Sequence, residues 1–359
     1  MSTLNTLREV YCNPSNVKDF NHAQWNQLIK EGYATRMLAR LHYLLEKAQV
    51  INIVPESLLW HFISASRFAI AHQRDMLIEV NYVNQAFKIS GHSPIYLKGI
   101  AYLIAGDEAA VGRVFSDLDV YINKDNLSTV ERFLHWKGWS AGDVDEYDEQ
   151  YYRKWMHEIP ALTHKTRGST LDVHHNLLPL TSKIKINAKE LEKNALVDLK
   201  VLAPEDRVIH SIVHLFLESE FEKGMRDMTD LDLLIRQYQQ EHEDFALVIV
   251  NRSLTLGVDL MVFYALRYLK MYLNTPIDNQ QLEKLDVHLK NKIRIKVMDA
   301  LFENVLFNPL SLDRSLSNKF AHSLMFIRGH WLRMPLHLLV PHLFHKAFVT
   351  PFSQWKKKK

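Results

Sequence analysis

Chain reversals are what this sequence lacks. Eleven glycines and eleven prolines are spread over 359 residues, so long helices should dominate and any sheet must be small. Apolar residues recur at helical spacing over 22–49 and 56–88, for example Leu58, Phe62, Phe68, Met76, Val80 and Val83, which predicts a helical N-terminal region, residues 1–90. Pro204-Glu205-Asp206 then supplies proline and acid where a helix begins, and Val208, Ile209, Ile212, Val213 and Phe216 form its apolar stripe. That opens a second helical region, 201–310.

With 47% hydrophobic and 24% charged residues the chain reads as globular, neither disordered nor collagen-like. Its single cysteine, Cys12, excludes an internal disulfide framework and a cysteine-rich metal site, and fits a reducing compartment. The opening MSTLNTLREV has neither the basic nor the apolar stretch of a secretory signal, and no uncharged apolar run reaches about 18 residues. A soluble cytoplasmic protein is expected.

Charge is unevenly placed. Residues 314–359 hold nine Lys/Arg and no Asp/Glu, leaving 35 Lys/Arg against 41 Asp/Glu in the rest. A globally basic nucleic-acid binder is thus not indicated. The basic extension, 311–359, could rest on an anionic membrane surface or hold nucleic acid, although Pro335, Pro341 and Pro351 interrupt it. A packed terminal extension ending in frayed Lys356–Lys359 is the simpler reading.

The texture changes over 91–200. Gly91-His92-Ser93-Pro94 leads into a short strand, Ile95 to Lys98, which ends at Gly99 before a helix from Ile100. After a loop to Ser116, Asp117–Ile122 alternates strictly, with Leu118, Val120 and Ile122 on the buried face. A helix near Leu127–Trp136 ends at Gly138, and Ala141–Gln150, with Asp143, Asp145, Glu146, Asp148 and Glu149, reads as a solvated loop. Two strands, Tyr151–Ile159 and Thr170–Leu177, should form a hairpin about His164–Ser169.

Residues two apart on a strand share a face, so Asp117 and Asp119 project together; by the same parity Asp172 lies with His174 and Asn176, opposite Leu171, Val173 and His175. Neighbouring carboxylates repel unless a cation stands between them. A hard ion such as Mg²⁺ (or Mn²⁺) takes oxygen ligands and leaves positions for phosphates. Three carboxylates can hold two ions roughly 3.5–4 Å apart, a device of phosphoryl and nucleotidyl transfer. Lys98 and Gly99 stand at a strand-to-helix turn, where backbone N–H groups and an ammonium could meet phosphate, and Arg113 and Ser116 lie just before the acidic strand.

Leu97-Lys98-Gly99, Arg113 through Val120 and Leu171-Asp172-Val173-His174 together resemble the uncharacterised bacterial nucleotidyltransferase family, within the DNA polymerase β-type nucleotidyltransferase superfamily. The resemblance covers roughly residues 30–250 and includes the helical region Pro204–Ile235. It implies an α+β, mostly helical fold: a small mixed sheet, the nucleotidyltransferase core, between N- and C-terminal helical regions. It also implies Mg²⁺ on Asp117, Asp119 and Asp172, and transfer of a nucleoside monophosphate from an NTP such as ATP to an acceptor, with release of pyrophosphate. The superfamily more often has Gly-Ser where this chain has Lys98-Gly99.

The acceptor is open: a small molecule, a peptide, a protein or RNA would all suit the same metal chemistry. Asp172, between metal and acceptor, is suited to take the acceptor's proton, or else hydrogen-bonds within the hairpin. His174 and His175 are candidate bases or partners behind a metal carboxylate. His210 and His214 have the spacing of a zinc pair without a third ligand, and read instead as a face packed on the sheet or touching nucleotide. Arg226 and Asp230, four apart, read as a helix pair, with a substrate role for Arg226 as the second possibility. Two rival functions remain in view, a non-catalytic module of the same fold that binds a nucleotide or a partner, and a membrane-peripheral accessory factor of polysaccharide or peptide biosynthesis.

Overall fold

In a computed structural model, residues 5–345 apart from 143 and 218 are described. Asp143 and the last part of the basic extension, including Pro351 and Lys356–Lys359, lie outside the described residues.

Four helices open the chain: α1 (Asn5–Cys12), α2 (His22–Thr35), α3 (Leu38–Lys47) and the 34-residue α4 (Glu56–Ile89). Asn21 and Gln24 cap α2 reciprocally, each side chain accepting from the other's backbone N–H. Along α4, Phe62, Met76, Val80 and Val83 are buried, whereas Phe68 points outward, 60% exposed. The sheet region then comprises β1 (Ile95–Tyr96), α5 (Lys98–Ala105), β2 (Leu118–Tyr121), α6 (Leu127–Trp136), β3 (Trp139–Ser140), α7 (Glu146–Trp155), β4 (Leu162–His164) and β5 (Thr170–His174). After it come α8 (Ala188–Lys193), α9 (Pro204–Leu217), α10 (Gly224–Glu241), α11 (Phe245–Leu256), α12 (Asp259–Leu273), α13 (Asn279–Leu282), α14 (Lys292–Phe307), α15 (Leu316–Arg333) and α16 (Leu336–Phe344).

The fold is mostly helical α+β with a small mixed sheet, in the order β1-β2-β5-β4-β3 among the described residues. β2 and β5 are parallel neighbours; the other pairs are antiparallel. One apolar core joins the helices before and after the sheet, from Leu7 to Met325. A second, including Val83, Phe87, Val120, Leu134 and Val173, fills the space between the sheet, α4 and α6.

Three expectations are corrected. Tyr151–Ile159 is not a strand: Glu146–Trp155 is α7, so the acidic run is in part a helix N-terminus rather than loop. The cause is the cap. Asp145 accepts the Asp148 N–H at 2.8 Å, Glu146, Asp148 and Glu149 occupy the positive end of the helix, and Arg153 bonds Glu149 one turn on. The hairpin forms between the shorter β4 and β5, with its reversal over 165–169 as expected. Likewise β1 stops at Tyr96, and Lys98 already begins α5.

Candidate active site

The register of the central strands brings two of the acidic residues, Asp119 and Asp172, side by side. Asp119 stands directly opposite Asp172, and Leu118 opposite Leu171. Leu118, Val120, Leu171 and Val173 are at most 1% exposed, within the core on one face, and their burial fixes the register that turns both aspartates to the other. Adjacent strands lie about 4.8 Å apart, so two carboxyls share a small volume. Asp117, just before β2, has the same parity as Asp119, and its Oδ1 accepts from Ser116 Oγ at 3.1 Å.

Asp119 is the best-held of the three. Its Oδ1 accepts from Lys98 Nζ at 2.7 Å and from His174 Nε2 at 2.9 Å. Burial alone would raise its pKa, but Lys98 and His174 outweigh that and hold it well below the usual carboxylate range. Burial also disfavours the Lys98 ammonium, yet Asp119 and more distant acids carry its pKa upward. Asp172 shows the opposite balance. Its Oδ1 is buried without a hydrogen-bond partner. Burial, then the charges of Asp119, Glu158 and Asp117, push its carboxyl up to about 7.

Sequence reasoning missed Glu158 and His157. The segment after α7 runs back along β5, with Glu158 bridged to His174 and the His157 carbonyl accepting from His175 and Asn176 N–H. His174 consequently stands between two carboxylates, with Nδ1 3.4 Å from Glu158 Oε2. Donor atoms of His157, Glu158 and His174 lie within 4.8 Å of one another, a set that could also hold a metal ion. The strand assigned to 151–159 hid this pair, and only its polarity before Ile159-Pro160 marked it.

A cleft of about 300 Å³ opens beside Asp119. Lys98, Ser116 and Asp117 line it from the sheet, and Lys223, Arg226 and Asp227 from α10 and the turn before it, with Arg113 between. Asp172 is not part of the lining. Arg226 donates to Asp227 at 3.0 and 2.6 Å, correcting the expected pair with Asp230. Asp230 is claimed instead by two buried cations, Arg40 at 2.7 Å and Arg113. Burial and Arg226 bring Arg113 down to about 10. Lys223, another residue the sequence did not flag, is likewise lowered by burial, Arg226 and Arg36. Cations gather at one end of the cleft, Arg226 paired there with Asp227 and Arg113 with Asp230, and Lys98 stands among the carboxylates at the other.

The turn at 98–99 differs in detail from expectation. Lys98, not Gly99, adopts the left-handed backbone, with φ +50°. Gly99 is needed for close approach: a Cβ there would lie 2.6 Å from Arg113 Nε and 3.0 Å from Phe115 Cδ1. His210, on α9, is buried, and desolvation together with Lys98 and His174 takes it to about 3. His214 lines the cleft.

Carboxylates paired across a sheet, an ammonium at a strand-to-helix turn and guanidinium groups opposite are what a polyanion accompanied by a cation requires. A family model described as an uncharacterised nucleotidyltransferase matches residues 21–274. No curated protein and no solved structure matches the chain.

Proposed function

Because this chain belongs to the uncharacterised nucleotidyltransferase family, we propose that it transfers a nucleoside monophosphate from an NTP to an acceptor, releases pyrophosphate, and depends on Mg²⁺ or Mn²⁺. The observation that carries this reading is Asp172: a buried carboxyl oxygen with no partner, in register with Asp119 and pushed up by burial and then by the acids around it. Such a group is costly unless a cation relieves it. The oxygen donors of Asp117, Asp119 and Asp172 suit a hard divalent ion by their chemistry, while the donor set within 4.8 Å among the described residues is His157, Glu158 and His174, the last bonded to Asp119. Bound there, such an ion supplies charge neutralisation at the transferring phosphorus and at the departing pyrophosphate.

The rest falls to the chain's own groups. Arg113, Arg226 and Lys223 bind phosphate oxygens at the cationic end of the cleft. Lys98 and His174 keep Asp119 ionised and fix its orientation. Asp172, in register with Asp119, accepts the proton of the acceptor hydroxyl.

The test is release of labelled pyrophosphate from Mg·NTP, together with the heat of NTP binding. Asp172→Asn should abolish turnover while leaving NTP affinity within about threefold. Undiminished pyrophosphate release by this variant refutes the role given to Asp172. Binding by the wild type without turnover on any acceptor class favours a non-catalytic module.

A further inference from the structure

The basic C-terminal region, which the nucleotidyl-transfer reading does not use, carries an apolar face of its own. Helix α15 packs Ala321, Met325 and Gly329 into the protein. On its opposite side Leu316, Phe320, Leu324, Ile327 and Trp331 are between 36% and 84% exposed. Their spacing of four, four, three and four residues aligns them along one line of the helix. Helix α16 adds Leu336, Val340 and Leu343, each at least 43% exposed. A helix apolar on both sides needs cover on both.

Charge identifies the cover. From Arg314 to the end of the chain every charged side chain is basic, nine Lys/Arg and no Asp/Glu, while the remainder has a net excess of acid. Five of the nine, Lys346 and Lys356–Lys359, lie outside the described residues. A second copy docked on this face would bring like charge against like charge. No helix among the described residues is long and apolar enough to cross a membrane. An apolar line with a tryptophan at one end, set within single-sign basic sequence, has the makeup of a helix lying in the plane of an anionic bilayer surface. The Lys183 ammonium, 3.3 Å from the centre of the Trp331 ring, adds a cation at that edge. We propose that α15 and α16 dock on anionic lipid headgroups, with the exposed apolar line entering the interface.

Sedimentation of the full-length protein with vesicles tests this. Vesicles of phosphatidylcholine with phosphatidylglycerol should carry most of the protein into the pellet, and vesicles of phosphatidylcholine alone at least tenfold less. Raising the salt should release it. The double variant Phe320→Glu/Ile327→Glu should stay in the supernatant with its melting temperature and Mg·NTP affinity unchanged, since both positions are exposed. Wild type remaining soluble with anionic vesicles overturns the proposal, as does equal pelleting of the double variant. Self-association abolished by the double variant, without vesicle binding, overturns it in favour of a second copy.

Discussion

At the scale of single residues, the central fact is that paired aspartates titrate apart. The folded protein raises the Asp172 carboxyl from the usual value near 4 to about 7. The protonated form is favoured in the fold. This contribution to stability is therefore complete at pH values below the unfolded pKa and is lost as pH rises through about 7. Without divalent cation, the wild-type melting temperature should fall between pH 5 and pH 8 relative to that of Asp172→Asn. Cation binding must expel the same proton, so apparent Mg²⁺ affinity should drop up to roughly tenfold per pH unit below 7; titration calorimetry at pH 6 and pH 8 measures it, and the variant should lose the trend. Gly99 makes a second residue-scale prediction. Gly99→Ala forces Arg113 and Phe115 aside, which should cost about 1–3 kcal/mol of stability in chemical denaturation and weaken Mg·NTP binding about tenfold.

At the scale of elements, α7 shows local capping overriding side-chain propensity. Tyr151, Tyr152 and Trp155 favour a strand by type, but Asp145 and the acids behind it start a helix before those aromatics are reached. Asp145→Ala should lose about 1 kcal/mol of stability through fraying of α7, measurable as faster amide exchange over 146–150, without altering NTP binding. The helix 204–217 was legible because amphipathic period and start signal coincide in a short window, and the helix 127–136 was marked by its stop at Gly138. Which face of its strand Asp119 and Asp172 each occupies was legible because strand parity is local; that the two strands lie side by side was implied only by the family resemblance. The pairing of Glu158 with the end of β5 was not, since it depends on how a segment after α7 returns to the sheet. The partner of Arg226 escaped for a similar reason: spacing offered Asp230, but two cations from distant segments, Arg40 and Arg113, already hold that carboxylate.

At the scale of the whole molecule, Arg40 joins what the sheet alone does not. From α3 it donates to the Ala109 carbonyl at 2.5 Å and to Thr229 Oγ1 at 2.7 Å, and it pairs with Asp230. Gly112 makes the crossing possible: a Cβ there, at φ +68°, would lie 2.4 Å from the Arg40 backbone nitrogen. Arg40→Met should cost about 3 kcal/mol in denaturant unfolding, the lower end for a broken buried pair because Arg113 still serves Asp230. A double-mutant cycle with Asp230→Asn measures the coupling. Since β2 and β5 run parallel, the chain must pass through α6, α7 and β4 before Asp172 can reach Asp119. The two acids therefore meet only after a long loop has closed, later than the local helices around them. On the proposed reading, affinity for a divalent ion should emerge last during refolding, marking the moment at which sheet assembly is complete.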